Sequence, residues 1–238
     1  MPASGFLQAV LFDLDGTLLD TAPDMVGALN DLRAEQSQPP VDYGIARAHV
    51  SHGAFGLVDI AFERIDDVER VRLRDRFLEI YAGRVAAETL LFDGMASVLD
   101  DIEADGLDWG IVTNKPGHLT EPLLATLGIL SRCACVVSGD TLPQRKPHPE
   151  PLLHAMRQIN AAAEPGDAAQ LMYVGDADRD IMAGKAAGMI TVAATYGYIP
   201  PEDDPLQWNA DRIIEHPRQL LDILANLDRH NGPHHPRG

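Results

Sequence analysis

Two acidic strings carry the clearest chemical signal in this chain. The first is Val10-Leu-Phe-Asp-Leu-Asp-Gly-Thr-Leu-Leu19, a hydrophobic strand that runs into Asp13 and Asp15 and then Gly16. Sites in open α/β sheets form at the carboxyl ends of strands, so the two aspartates are expected to share a crevice. A turn would explain one Asp or Gly, but not two carboxylates buried at a strand end. The second string, Leu171-Met-Tyr-Val-Gly-Asp-Ala-Asp-Arg-Asp180, ends a strand in acid again. Asp176 follows Gly175, and one helical turn brings Asp180 back over the strand end. Asp178 reads as an ordinary acid at a helix N-terminus. Two unit charges about 4 Å apart cost roughly 4 kcal/mol at an effective dielectric near 20. Three or four together would offset much of a domain's net stability of ~5–15 kcal/mol. They coexist only around a cation. All candidate ligands are oxygens, so Mg2+ is the natural ion, ahead of Ca2+ or Mn2+.

Two further positions suit an anionic substrate. Ile111-Val-Thr113-Asn-Lys115 is a strand ending in a hydroxyl that can donate to an anionic oxygen. Gln144-Arg-Lys146-Pro-His-Pro149 places a basic pair in a proline-stiffened loop. Lys146 could supply the local positive charge.

The elements that must position these residues alternate between strand and helix. Apolar runs at 6–12, 109–112, 133–137, 171–174, 190–193 and 212–214 read as strands, several apolar on both faces. Helix candidates lie near 95–104, 117–127, 149–160, 178–187 and 217–227. Gly106, Gly128 and Gly188 sit where left-handed helix caps are common. The alternation predicts an α/β fold: a doubly wound, mostly parallel sheet with helices on both faces. One interval departs from it. Residues 21–85 show no convincing strand and read as an inserted all-helical cap. Thr21-Ala-Pro-Asp24 resembles a capping box ahead of Ala22, Met25, Val26, Leu29 and Leu32. Residues 59–81 read as helical and heavily charged, most simply a solvated helix face. The expected organisation is a catalytic core of 1–20 and 86–228, a cap of 21–85, and a disordered tail of 229–238 in which three histidines carry no assigned role.

Composition narrows the partners. The chain has 238 residues, 19 Lys+Arg and 36 Asp+Glu, a net charge of −17. That charge argues against nucleic acid and against anionic membranes. It also repels small anions at long range, so a site for one needs local cations. No stretch approaches the ~18 apolar residues of a membrane span, and the first twelve residues carry no Lys or Arg, unlike a signal peptide. Cys133 and Cys135 read as buried thiols, which suits a reducing cytoplasm.

Taken in order, Asp-Leu-Asp-Gly-Thr, Val-Thr-Asn, Lys-Pro-His-Pro and Gly-Asp-x-x-x-Asp resemble the haloacid dehalogenase superfamily of phosphatases. The resemblance spans roughly 6–225 and includes the helical insertion. It implies that Asp13 is the nucleophile and Asp15 the general acid and then base. Thr113, Asn114 and Lys146 would face the substrate phosphate. Asp13, Asp15 through its backbone carbonyl and Asp176 would hold Mg2+, with Asp180 direct or bridged by water. Within the superfamily the chain resembles phosphoglycolate phosphatases and N-acetylmuramic acid 6-phosphate phosphatases. Tyr196-Gly-Tyr-Ile-Pro-Pro-Glu-Asp-Asp-Pro205, Trp208 and Ala210-Asp211 favour the second group. Both substrates carry a carboxylate, and Arg47, in Arg-Ala-His-Val-Ser-His-Gly-Ala, is the cation expected to meet it, ahead of His49 and His52. Two alternatives remain: a sugar-phosphate mutase on the same scaffold, and a signalling receiver domain, which phosphorylates an aspartate but lacks an acid two residues beyond it.

Overall fold

The computed structural model describes residues 7–159 and 171–231, with no side-chain description for 228–231. Six parallel strands form the central sheet: β1 (Ala9–Phe12), β4 (Asp108–Val112), β5 (Cys135–Val137), β6 (Leu171–Gly175), β7 (Ile190–Ala194) and β8 (Arg212–Ile214). Their spatial order is β5-β4-β1-β6-β7-β8. β1 pairs with β4 on one side and β6 on the other, so the two acidic strings emerge next to each other.

Alternation along β1 separates two cores. Val10 and Phe12 join a cluster closed by α5 (Met95–Ala104), α6 (Gly117–Thr126) and α9 (Gln219–Asn231). Ala9 and Leu11 face α7 (Glu150–Ile159) and α8 (Asp178–Ala186). Helices therefore cover both faces, as the strand pattern predicts. Gly106, Gly128 and Gly188 take φ of 72°, 69° and 75° just beyond α5, α6 and α8, the left-handed conformation that closes a helix cheaply with glycine.

Between β2 (Leu19–Asp20) and β3 (Leu90–Leu91), which pair antiparallel, lie α1 (Ala22–Glu35), α2 (Tyr43–Ala48), α3 (Gly53–Ala61) and α4 (Asp67–Ala82). These helices have a core of their own, including Leu29, Leu57 and Phe77, which Leu119 and Tyr198 join from outside. The short β2–β3 ribbon is too brief to leave a period-two signal in sequence.

One local expectation gains a break and two need correction. The stretch 59–81 is two helices: Arg64 adopts φ of 60°, and Asp66 caps α4 by accepting from Glu69 N at 2.8 Å. This Asp-x-x-Glu start signal was hidden in a charged run. The capping box at Thr21 does not form. Thr21 donates instead to Asp15 Oδ1 at 2.7 Å, and Asp24 accepts from Glu88 N, Thr89 N and Thr89 Oγ1 at 2.7–3.1 Å. Finally, α9 runs on to Asn231, past the start of the expected tail, because its helical pattern is not broken before Gly232. Residues 232–238 lie outside those described. Cys133 precedes β5, and both cysteines are unpaired.

Asp24 thus ties the first turn of α1 to the chain's return through 88–89. It is fully buried, so removing it strands donors that water cannot reach. Asp24→Ala should cost about 3 kcal/mol and lower Tm by roughly 6–12 °C. A thermal melt showing a shift below about 2 °C would remove the latch from the fold's support.

Candidate active site

The carboxyl ends of β1 and β6 deliver three buried carboxylates. Asp13, Asp176 and Asp180 each offer an oxygen within 4.8 Å of the others. Lys146 Nζ reaches into them, 2.7 Å from Asp13 Oδ1 and 2.8 Å from Asp180 Oδ1. It also donates to Tyr173 Oη at 2.7 Å, whose hydroxyl in turn donates a hydrogen bond to Val112 O at 2.9 Å. The ammonium thus has three fixed partners and little freedom. Asn114 explains the aim of that lysine. Its side-chain amide donates to Lys146 O and accepts from Lys146 N, at 3.0 and 3.1 Å. Asn114 was expected to face substrate; its amide is taken up in holding the Lys146 backbone.

Two cations do not balance three acids cheaply at this depth. Burial, only partly offset by Lys146, pushes the Asp13 carboxyl up to about 6. Burial together with Asp13 and Asp180 pushes Asp176 up to about 7. Arg179 lies close enough for these three acids to hold its charge more firmly, against burial. A buried group of oxygen donors in which Asp13 and Asp176 resist ionisation fits a hard divalent cation. Among the described residues no histidine or cysteine joins it. Asp180 is the most committed member, since its Oδ2 also accepts from Ala177 N at 3.1 Å and starts α8. Asp176 accepts from Tyr198 N and Ser51 Oγ at 2.8 and 2.7 Å.

Gly16 is required by space as well as conformation. Its φ is 89°, and a Cβ there would overlap the Asp176 carboxylate. That leaves the turn after Asp15 with no alternative side chain.

The Asp15 carboxylate stands apart from the cluster. Its Oδ1 accepts from Thr21 Oγ1 at 2.7 Å and from Lys115 Nζ at 2.9 Å. The carboxylate does not join the group of Asp13, Asp176 and Asp180, so the metal ligand expected from this residue is its backbone carbonyl. Lys115 is almost fully buried; burial opposes its charge, but Asp15 and Tyr81 outweigh that and raise its pKa. Sequence reasoning passed over Lys115 because a lysine after a strand resembles any surface lysine. Tyr173 and Ser51 carried no signal for the same reason. Thr113 is buried at the end of β4, and its Oγ1 accepts from Lys115 N at 3.1 Å, which leaves its proton free to donate elsewhere.

Asp13, Asp15, Thr113 and Asn114 line a cleft of about 330 Å³ whose far wall is α3 and α4. Arg47 does not line it. Its guanidinium donates to Gly197 O and Tyr196 O at 3.2 and 3.4 Å and lies over the Tyr198 ring at 4.8 Å. Arg47 therefore fastens the helical layer to the loop after β7. His49 is turned toward Ile45 O and Glu202. His52 does line the cleft, where burial, Arg179 and His49 lower its pKa.

Residues 10–194 match the haloacid dehalogenase-like hydrolase family. A phosphoglycolate phosphatase of Xanthomonas campestris pv. campestris is 46% identical over 92% of this chain and 97% of its own. An N-acetylmuramic acid 6-phosphate phosphatase of Pseudomonas aeruginosa is 44% identical over 92% and 95%. A crystal structure described as a predicted phosphoglycolate phosphatase from Haemophilus somnus superposes with a TM-score of 0.79 at 26% identity, covering 92% of this chain and 97% of that one. With its sheet order, its acidic strand ends and these similarities, the chain belongs to the haloacid dehalogenase-like hydrolase family.

Proposed function

We propose that this chain is a Mg2+-dependent phosphatase of a small carboxylated phosphomonoester, N-acetylmuramic acid 6-phosphate or 2-phosphoglycolate, working through a phosphorylated Asp13. The observation that carries it is the packing of Asp13 against Asp176, Asp180 and Lys146 at one end of the sheet. The names of the relatives agree with it, and two unpaired cysteines suit a reducing cytoplasm.

The steps follow from the residues. An Asp13 carboxylate oxygen attacks phosphorus, the bond from phosphorus to the ester oxygen breaks, and Asp15 gives its proton to the departing alkoxide. Asp15 then takes a proton from water, whose oxygen attacks phosphorus, and the bond to Asp13 breaks to release phosphate. Dividing the displacement in two lowers each barrier. Thr113 would donate to a phosphate oxygen, and the Lys146 ammonium, held against Asp13, supplies positive charge beside the transferred group. Thr21 and Lys115 both hold Asp15 Oδ1, leaving Oδ2 to exchange the proton. Asp13, Asp176 and Asp180 with the Asp15 carbonyl would hold Mg2+, which offsets the charge that gathers as two anions approach.

Asp13→Asn should release no phosphate from any substrate; measurable turnover in a malachite green assay would end the mechanism. Asp15→Asn should slow alkyl phosphate esters by about 100-fold or more, and p-nitrophenyl phosphate much less in its first step, since that leaving group needs no proton. Equal first-step losses in burst kinetics would deny Asp15 the acid role. Chelation supplies a test that does not depend on activity. Asp13 and Asp176 hold protons more tightly folded than unfolded, so the metal-free protein gains stability as pH falls from about 7 toward 4. With EDTA its Tm should be higher at pH 5.5 than at pH 8, and MgCl2 should raise Tm more at pH 8. A Mg2+ shift independent of pH would disconnect the ion from these carboxylates.

A further inference from the structure

With Arg47 engaged by two backbone carbonyls, a substrate carboxylate needs another partner. Among the described residues three buried side-chain polar atoms have no hydrogen-bond partner: Arg74 Nε, Tyr81 Oη and Arg84 Nε. The first two line the cleft. Buried polar groups are paired as a rule, and an orphan in a cleft wall marks a place for a ligand atom. Asp75 Oδ1 is 2.7 Å from Arg74 Nε, an ion pair without an aligned N–H bond. Lys115 Nζ lies over the Tyr81 ring, 4.5 Å from its centre, and interacts with the Tyr81 hydroxyl without an aligned hydrogen bond, so the hydroxyl keeps capacity for a ligand atom.

Both orphans belong to α4. Arg74, Leu78 and Tyr81 follow at i, i+4 and i+7 and all three line the cleft, so they form one stripe. The ends of that stripe differ in their distance from the reaction. Tyr81 adjoins Lys115, which holds Asp15 at 2.9 Å; it is the near end. Arg74 lies two turns away, about 10 Å at ~1.5 Å per residue. Its guanidinium is stacked at 4.7 Å on Phe55, whose ring also carries Arg70, itself paired with Asp59. Stacking holds the Arg74 plane; Asp75 meets its Nε edge, so a substrate carboxylate would be met by the terminal N–H groups of the same fork.

We propose that Arg74 and Tyr81 form a distal recognition site, Arg74 for a carboxylate and Tyr81 for a polar substituent nearer the ester. The spacing then selects the substrate class. In 2-phosphoglycolate one methylene separates the ester oxygen from the carboxylate, far short of two helical turns. A carboxylate on the far side of a sugar ring spans it. This inference rests on the phosphatase reading and narrows it to carboxylated sugar phosphates.

The test compares kcat/KM of the full chain with MgCl2 for N-acetylmuramic acid 6-phosphate, N-acetylglucosamine 6-phosphate, which lacks the carboxylate, and 2-phosphoglycolate. Wild type should prefer the first. Arg74→Met should shrink its preference over the carboxylate-free sugar by about tenfold to a hundredfold, through KM, and Arg74→Lys should restore part of it. Tyr81→Phe should weaken both sugars alike. Arg74→Gln, which keeps the packing stem, repeats the measurement if Arg74→Met does not melt cooperatively. An unchanged preference in either Arg74 variant, or a wild type that prefers 2-phosphoglycolate, overturns the distal site. If wild type ignores all three yet cleaves p-nitrophenyl phosphate in an Asp13-dependent way, the distal site falls and the phosphatase reading stands. If p-nitrophenyl phosphate is also untouched, the phosphatase reading itself fails.

Discussion

Everything in this molecule defers to the crowding of like charge at the carboxyl ends of β1 and β6. Three carboxylates lie within 4.8 Å of one another, all buried. Unscreened, they would weigh heavily against a net stability of ~5–15 kcal/mol. The fold meets the problem with Lys146, aimed by Asn114 and Tyr173, with Arg179, and with two raised carboxyl pKa values. The residual imbalance is the property that fits these carboxylates to a metal ion. The −17 of the whole chain therefore says little about the site, where Lys146 and Arg179 oppose the acids locally.

The helical layer is bound into this arrangement as well as covering it. Ser51 donates to Asp176, Arg47 holds the Tyr196–Gly197 carbonyls, and Tyr81 carries the ammonium that steadies Asp15. Tyr198 works in the other direction, with Oη donating to Asp20 at 2.6 Å and accepting from Ala22 N at 2.9 Å. Contacts of this kind make the position of α3 and α4 a matter for the chemistry: any movement of the layer is felt at Asp176 and at Asp15. Asp24, buried beside the return at 88–89, anchors the same junction from within α1.

Much of this was legible in the residues. Asp13, Asp176, Asp180 and Lys146 are found together, and five of the six expected strands begin and end within about two residues of their expected limits, while β1 starts three residues late, at Ala9. Such features follow from local pattern: a both-faces-apolar strand ending in acid leaves few places for its carboxylate. Arg47 was less legible. Its motif is polar and lies on the helical insertion, but sequence spacing does not reveal which way a guanidinium turns. The break between α3 and α4 was obscured because a capping aspartate among many charges looks like a solvated face.

By itself, then, the sequence determined the sheet, its doubly wound helices and the acidic strand ends, because hydrophobic periodicity and a short motif are local properties of the chain. Only the tertiary structure decided which cation meets which acid. Lys115 with Asp15, Lys146 with Asp13, and Arg74 rather than Arg47 on the cleft wall are pairings between residues far apart in the chain. They depend on how the helical layer packs on the sheet, and that packing is set by volume and burial across many elements, which no single stretch of sequence records.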